Sequence, residues 1–248
     1  MRIAVISDIH GNLPALEAVL DDVGRERPDL IVSCGDVASG PMPAETIDLL
    51  MTLRDVRFVR GNADDGLIRE FDGMAQGPLP GPYADWCATQ IDGKQRDFLA
   101  AFEDTVVFDG VEGLGRVLFC HATPKNNTDV FTAETPADRV RQLFGDVDAD
   151  VVVVGHTHMQ FDRDVGGLRV VNPGSVGMPY GEPGAYWAML GPDVDLRRTD
   201  YDREAAAGRI RAKSWPVAEQ FAAENVITVP SVTQAMDFLR KAAARLST

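Results

Sequence analysis

The chain has 248 residues, which is long enough to bury a large hydrophobic core without disulfides or zinc and excludes a mini-protein. Hydrophobic residues make up 45% and charged residues 25% of the chain, which excludes a disordered or fibrous protein. The formal net charge is −14, and a surface of this sign repels nucleic acid and anionic membranes over long range. A phosphate-bearing partner therefore requires a local positive feature, such as bound metal.

Apolar stretches and cysteines indicate the compartment. The longest uninterrupted apolar stretch, 185–190, is far too short to cross a bilayer, and the N-terminus runs directly into strand-like sequence. We therefore expect neither a signal peptide nor a transmembrane helix. The three cysteines are odd in number and far apart, which favours reduced thiols and a cytoplasmic location over a disulfide framework.

Strand-like and helix-like segments alternate through the first half of the chain. Residues 2–9 form a short apolar strand pattern, and apolar residues at helical spacing follow until Arg27-Pro28 stops the helix. The alternation continues with a strand at 30–34, a helix at 44–53 and a strand at 56–59. Consecutive β-α-β units predict a mostly parallel sheet whose ligands gather beyond the carboxyl ends of its strands.

The second half is richer in short strands. Residues 72–82 are typical of a loop, and the pattern then predicts a helix at 83–102 that forms a partial lid. Strands are predicted at 106–108, 116–120, 151–154, 168–171 and 186–190. The four consecutive valines of 151–154 are typical of a strand covered on both faces. From 202 onward the sequence is mostly helical, with an interruption near 226–230.

All four histidines stand where a strand pattern gives way to a turn. Asp8 and His10 follow the first strand, and their i, i+2 spacing points both side chains to one face of the extended chain. His156 and His158 repeat this spacing after the valine run. Three other strands are followed by Asp36, Asn62 and His121. The sheet edge therefore receives an oxygen or nitrogen ligand from each of these strands.

The types of ligand restrict the metal. Imidazole, carboxylate and amide groups without thiolate suit borderline divalent ions such as Mn, Fe, Co, Ni or Zn, and disfavour an iron–sulfur cluster. A single histidine in a core is more often structural, and Asp8 and Asp36 at strand ends could simply cap the helices that follow. The joint placement of these residues with the paired histidines favours a metal site.

These blocks resemble those of the calcineurin-like metallophosphoesterase superfamily. Its D-x-H, G-D-x-x-x-x-G, G-N-x-D, single-His and G-H-x-H blocks occur here in order, between Met1 and about Leu190, and leave the last quarter of the chain unmatched. Within the superfamily, the chain is most similar to small bacterial phosphodiesterase-like members. These share its Ser-Asp-Ile-His-Gly-Asn opening and an Asn-Pro-Gly-Ser turn, here at 172–175.

The resemblance implies an α/β fold, a four-layer α/β/β/α sandwich forming one domain over residues 1–200, with a helical extension at 201–248 packed on it. It also implies two divalent transition-metal ions, with manganese as the first choice and Fe, Ni, Co or Zn as alternatives. One ion would be held by Asp8, His10 and His158, and the other by Asn62, His121 and His156, with Asp36 bridging both. Two such ions would acidify a bridging water, bind phosphoryl oxygens and stabilise an in-line displacement.

Other residues near these blocks are candidates for further roles. Asp36, Asn62 and Asp64 are the candidate catalytic residues. Asp64 either orients a ligand through a hydrogen bond or caps a helix at 65–71. Arg60 and Asn12 are the candidate substrate-binding residues, and Arg60 either contacts phosphate or pairs with a surface carboxylate.

We expect a phosphodiesterase that acts on a small phosphate ester through a metal-bridging hydroxide. The alternatives are hydrolysis of a nucleotide or dinucleotide phosphoanhydride, and a non-catalytic metal-binding scaffold of the same fold. In the phosphoprotein-phosphatase branch, the Asn ligand is followed by a His that protonates the leaving group, whereas Ala63 stands at that position here. That branch also has an Arg soon after the bridging Asp, where this chain has Val37-Ala38-Ser39. Both differences argue against a protein phosphatase.

The charge and composition of the chain restrict its binding partners. The acidic composition and the lack of a basic aromatic groove disfavour nucleic acid. No membrane partner is expected, and a homo-oligomer is left as an option.

Overall fold

Two five-stranded β-sheets form the centre of this computed structural model, which describes residues 1–74 and 84–246. The strands of the first sheet are β1 (Ile3–Ile6), β2 (Leu30–Ser33), β3 (Val56–Phe58), β9 (Ala185–Leu190) and β10 (Val194–Thr199). Those of the second sheet are β4 (Thr105–Val111), β5 (Gly115–Cys120), β6 (Val151–Val153), β7 (Phe161–Val165) and β8 (Leu168–Asn172).

Both sheets have parallel strands beside antiparallel ones. In the first, of order β10-β9-β1-β2-β3, strands β1 to β3 are parallel, as the β-α-β pattern predicts, whereas β9 runs antiparallel to both of its neighbours, β1 and β10. In the second, of order β4-β5-β6-β8-β7, strands β5, β6 and β8 are parallel and the edge strands are antiparallel. The sequence analysis did not predict β7 and β10. Both are edge strands rich in Asp and Arg, so they lack a strong apolar pattern.

Alternate residues of the central strands pack into different layers. In β1, Ile3 and Val5 belong to the core between the two sheets, whereas Ala4 and Ile6 belong to the core between the first sheet and its helices. The valine run behaves in the same way on the second sheet, because its odd-numbered members face the first sheet and its even-numbered members face away. The predicted four-layer sandwich and the valine strand buried on both faces are therefore confirmed.

Helices cover the outer faces of the sheets. In chain order they are α1 (Leu13–Glu26), α2 (Pro43–Thr52), α3 (Asn62–Phe71), α4 (Ala84–Ala88), α5 (Gly93–Ala100), α6 (Ala137–Phe144), α7 (Arg203–Arg211), α8 (Ala218–Phe221) and α9 (Val232–Leu246). A π-helical turn, Ala222–Ile227, continues α8. Helix α1 begins where predicted, because the Asn12 side chain accepts a hydrogen bond from the backbone N–H of Ala15 and a proline occupies the first turn.

Two predicted helices are corrected, and one helix was not predicted. The described part of the predicted helix at 83–102 is two helices, α4 and α5, because Asp92 and Gln95 form a reciprocal capping box that starts a new helix. The helix predicted at 65–71 begins at Asn62, and α6 was not predicted at all. Much of the predicted loop at 72–82 lies outside the described residues, so the lid stays a prediction.

The C-terminal helices pack on the sandwich. Apolar side chains of α7, α8 and the π-helical turn form one core, which includes Trp215 and Phe221 and extends to Trp86, Met178 and Tyr201. The predicted interruption near 226–230 coincides with the break between the π-helical turn and α9. None of the described helices has both the length and the apolar character that crossing a membrane requires.

Candidate metal centre

The seven predicted ligands lie in the turns that follow strand ends, and the backbone there is strained. Five of them have positive φ, at 53° for Asp8, 48° for His10, 56° for Asp36, 66° for His156 and 59° for His158. Among the other described residues that are not glycine, only Arg27 and Asp55 share this conformation. L-residues adopt it at a cost that the surrounding structure must offset, and such residues cluster at functional sites.

One group of ligands consists of Asp8, His10 and His158, whose ligand atoms lie within 4.8 Å of one another. The Nδ1 of His10 lies 3.2 Å from the carbonyl oxygen of Ser39, and that of His158 lies 2.8 Å from the carbonyl oxygen of Met178. These carbonyls hold the proton on Nδ1, so the Nε2 lone pairs of both rings face inward, 3.2 Å apart. Two inward-facing imidazole nitrogens beside the Asp8 carboxylate are the kind of donor set that divalent transition metals prefer, so this group fits a metal ion.

The second group consists of Asp36, His121 and His156, again with ligand atoms within 4.8 Å of one another. The Nδ1 of His121 lies 2.6 Å from the carbonyl oxygen of Cys34, which turns Nε2 towards Asp36 and Asn62. The amide of Asn62 completes the group, because its Oδ1 lies 3.1 Å from His121 Nε2.

The Asn62 amide has two orientations, related by exchange of its oxygen and nitrogen. With nitrogen inward, it donates to His156 Nδ1 at 2.8 Å and to His121 Nε2 at 3.1 Å. With oxygen inward, Asn62 Oδ1 lies 3.1 Å from His121 Nε2 and can serve as a metal ligand beside the two imidazoles. This donor set therefore also fits a metal ion.

Asp36 connects the two groups. Its Oδ2 lies 3.4 Å from His121 Nε2 of the second group and 3.7 Å from His10 Nε2 of the first. Its Oδ1 accepts a 2.7 Å hydrogen bond from the backbone N–H of Ala63. One carboxylate oxygen is thus within reach of both groups, while the other oxygen fixes its orientation.

The Asp64 carboxylate holds the backbone at Asp36 through hydrogen bonds. Its carboxylate is fully buried and accepts hydrogen bonds of 2.9 Å from the backbone N–H groups of Asp36, Val37 and Gly61. It is the third residue of α3, in a capping arrangement with Gly61, so the predicted N-cap position is corrected by three residues. Asp64 therefore holds the backbone of the candidate ligand Asp36 and stabilises the start of α3, and its role in catalysis stays a prediction.

The two candidate substrate-binding residues lie in different surroundings. The Asn12 side chain is fully buried, and its amide nitrogen donates to the Gly177 carbonyl while its oxygen caps α1. The Arg60 guanidinium donates to the Phe102 carbonyl at 2.7 Å and lies 3.4 Å from the Asp104 carboxylate. These contacts hold both side chains within the protein, and contact with substrate stays a prediction for each.

Burial and mutual charge shift the pKa values of the site. Burial and the charge of His121 lower the pKa of His156 to about 4. Burial opposes the charged form of His121, but the Asp36 carboxylate outweighs it and raises the pKa of that imidazole to about 10. Burial would raise the pKa of Asp36, yet the charge of His121 and the hydrogen bond with it hold it well below its usual range. Burial and the Asp36 charge raise the pKa of Asp64 to about 7.

The structure adds three residues that the sequence analysis did not assign to the site. The hydroxyl of Ser7 donates to Asp8 Oδ2 at 2.6 Å, and that of Ser175 donates to the Asp8 carbonyl at 2.7 Å. The ring of Tyr180 stacks on that of His158, with centroids 5.7 Å apart. Ser175 belongs to the Asn-Pro-Gly-Ser turn that the resembling family members share, whereas no sequence pattern pointed to Tyr180.

Comparison with known proteins agrees with this geometry. Residues 1–193 match the family model described as the calcineurin-like phosphoesterase superfamily domain. The chain belongs to this superfamily. An uncharacterised protein of Methanocaldococcus jannaschii, MJ0912, is 30% identical over 235 residues, covering 86% of this chain and 93% of that protein.

Two further relatives carry functional names. The phosphodiesterase YfcE of Escherichia coli strain K12 is 29% identical over 207 residues, which covers 78% of this chain and 89% of YfcE. A metallophosphoesterase from Sphaerobacter thermophilus, known from its crystal structure, is 28% identical with a TM-score of 0.71, and the match covers 92% of this chain and 98% of the other. The chain is therefore a phosphoesterase-family protein with two candidate metal-binding groups.

Proposed function

We propose that this protein is a phosphodiesterase that works with two divalent transition-metal ions, one in each group of ligands. The observation that carries the proposal is the position of Asp36, whose Oδ2 lies between His10 of one group and His121 of the other. A carboxylate in this position can hold two ions at the short separation that phosphoryl transfer requires.

The donor set favours particular ions. Imidazole, carboxylate and amide groups without thiolate suit Mn, Fe, Co, Ni or Zn, and manganese is our first choice. When bound, two such ions supply a water of lowered pKa and Lewis acids for the phosphoryl oxygens.

The protein's own residues would bind the ions, and hydrogen bonds orient the atoms that face them. Backbone carbonyls fix the rings of His10, His121 and His158, so that their Nε2 atoms point inward before any ion arrives. Asp64 holds the backbone of Asp36, and the Ala63 N–H orients the Asp36 carboxylate between the two groups. Such preorganisation lowers the cost of assembling the site for each turnover.

No histidine is left outside the two groups to protonate the leaving group, and this restricts the leaving groups that the enzyme can expel. All four histidines belong to the two groups, Ala63 stands where a related branch has a histidine, and Asp64 is buried against backbone N–H groups. A positioned general acid commonly contributes about 10²–10⁴-fold, mostly for poor leaving groups. The enzyme should therefore favour esters whose leaving groups depart as stable anions. The relative YfcE is named a phosphodiesterase, which supports phosphodiesters as the substrates of this protein.

The test is a series of aryl and alkyl phosphodiesters of graded leaving-group pKa, assayed with purified protein reconstituted with Mn²⁺. We expect aryl diesters to be hydrolysed rapidly and rates to fall steeply as the leaving-group pKa rises. A dinucleotide phosphoanhydride and an aryl phosphomonoester complete the panel and test the alternative substrate classes. No hydrolysis of any diester after reconstitution would refute the proposal, and a flat dependence with rate-limiting chemistry would mean that an unassigned residue donates the proton.

A further inference from the structure

A cavity of about 390 Å³ is lined in part by Tyr180, whose ring stacks on that of the candidate metal ligand His158. Two of its twelve lining residues, Met178 and Tyr180, belong to the family domain, and the other ten follow that domain in the chain. Both border the metal centre as well, because the Met178 carbonyl accepts the Nδ1 hydrogen bond of His158 and the Tyr180 ring stacks on the His158 ring. The cavity therefore adjoins the candidate metal centre through Met178 and Tyr180, which both contact the His158 ring.

Aromatic rings form much of the cavity wall. Tyr180, Trp215, Phe221 and Phe238 line it together with smaller apolar side chains. Phe238 is 62% exposed, which is unusual for a phenyl ring on a helix whose neighbours Met236 and Leu239 are buried. A planar ring can stack on such a wall in offset or edge-to-face geometry.

The charge of the cavity excludes a phosphate group. Its described lining residues include one carboxylate, Glu224, and no lysine, arginine or histidine. The amide of Gln220 donates to this carboxylate at 3.0 Å, so the polar part of the wall consists of anchored side chains. A phosphate group would be repelled here, whereas an uncharged ring with a polar edge would meet both apolar faces and hydrogen-bonding groups.

The backbone around the polar wall is irregular. Glu224 and Asn225 belong to the π-helical turn at Ala222–Ile227. A π-helical turn within a helix is rare and occurs frequently at functional sites, because it redirects side chains that an α-helix would point elsewhere.

We infer that this cavity binds the planar, uncharged ester arm of a phosphodiester whose phosphate lies at the metal centre. The inference rests on the proposed function, since it assigns the substrate class of that same site. The catalytic ligands come from the family domain, whereas most of the cavity wall comes from the C-terminal helices, which would therefore determine substrate specificity. An aryl group and a nucleobase share the required chemistry, and the experiment distinguishes them.

The test uses three diesters that share 4-nitrophenolate as leaving group and carry methyl, phenyl or 5′-thymidyl as the retained arm. Because the leaving group is constant, differences in kcat/KM report binding of the arm. We expect the phenyl or thymidyl diester to exceed the methyl diester by about fivefold or more. If kcat/KM is higher for the thymidyl diester, the cavity prefers a nucleoside arm. If it is higher for the phenyl diester, the cavity prefers a simple aryl arm.

Phe238→Ala removes one ring from the cavity wall. It should lower the ratio of the preferred diester to the methyl diester by about fivefold to tenfold. The control is Val232→Ala on the same helix, because Val232 is also exposed but does not line the cavity. It should leave all three rates unchanged, and circular dichroism checks that both variants fold.

The outcomes separate this inference from the proposed function. If all three diesters are hydrolysed equally well, or if both variants behave alike, the cavity does not bind the arm while the phosphodiesterase proposal stands. If no diester is hydrolysed, the proposed function fails, and calorimetric binding of 4-methylphenol and thymidine to the metal-free protein decides the cavity's role. Binding that is weakened by Phe238→Ala and unchanged by Val232→Ala supports it, whereas no binding overturns it.

Discussion

At the scale of single residues, the proposed centre depends most on Asp36, because one of its oxygens lies between both groups of ligands. Replacing it by asparagine keeps the shape and the hydrogen bond from the Ala63 N–H but removes the negative charge. We expect Asp36→Asn to lower kcat by at least about 10²–10³-fold, the loss typical of removing a preorganised electrostatic group.

Steady-state assays with the best aryl diester measure this effect. Asp109→Asn is the matched control, since Asp109 lies on β4 in an exposed ion pair with Arg116 and should leave kcat unchanged. Circular dichroism establishes that both variants fold. Near-wild-type turnover in folded Asp36→Asn protein would contradict the two-metal mechanism.

Metal binding at His121 should be coupled to the release of a proton. In the metal-free protein the Asp36 carboxylate raises the pKa of the His121 imidazole to about 10, so the ring is protonated at neutral pH. An ion can bind to its nitrogen only after that proton leaves. Metal binding should therefore release protons, and the affinity should increase as the pH rises towards about 10.

Titration calorimetry in buffers of different ionisation enthalpy counts the protons released at pH 7.5. His121→Ala should release fewer protons than the wild type, because the raised-pKa group is gone. Equal proton release by the two proteins would show that another group supplies the proton.

At the scale of elements, the turn between β3 and α3 approaches the turn after β2 very closely. A Cβ atom at Gly61 would lie 2.0 Å from Asp36 Oδ1 and 2.5 Å from the Asp36 backbone nitrogen. Gly61→Ala should therefore displace Asp36, destabilise the protein by about 1–3 kcal/mol and lower kcat by about 100-fold.

The control for this substitution is Gly24→Ala within α1, where a new Cβ atom has no neighbour within 4 Å. Alanine is the better helix former, so this variant should gain about 0.5–1 kcal/mol of stability and keep full activity. Denaturant unfolding and diester assays measure both quantities. Wild-type activity in Gly61→Ala protein would mean that the close approach of the two turns is not needed for the site.

At the scale of the whole molecule, bound metal should stabilise the folded state of this acidic protein. The chain carries a net charge of −14, and both candidate groups contain a buried carboxylate. Ions that bind only the folded state stabilise it by about 2.7 kcal/mol at a hundredfold excess over Kd. For a protein of this size, we expect removal of metal by a chelator to lower Tm by about 5–10 °C.

Differential scanning calorimetry before and after chelation measures this shift, and adding Mn²⁺ back should restore Tm. The chelator should have little effect on Asp36→Asn protein, which serves as the control because its affinity for metal is already reduced. An unchanged wild-type Tm would indicate that neither group binds an ion tightly.

The sequence alone determined the composition of the site and the main layers of the fold. Residue type and position after a strand are local properties, so Asp8, His10 and the His156/His158 pair were recognisable from spacing and turn residues. The valine run of β6 was equally clear, because burial on both faces leaves an unbroken apolar pattern.

Only the tertiary structure decided how these residues relate in space. The distances from Asp36 Oδ2 to both groups, the particular backbone N–H groups that Asp64 accepts from and the stacking of Tyr180 on His158 all join residues that are far apart in the chain. The charged edge strands β7 and β10 and the cavity beside His158 were not predicted for the same reason. Their formation depends on which distant segments pack together, and packing leaves no periodic signal in either segment taken separately.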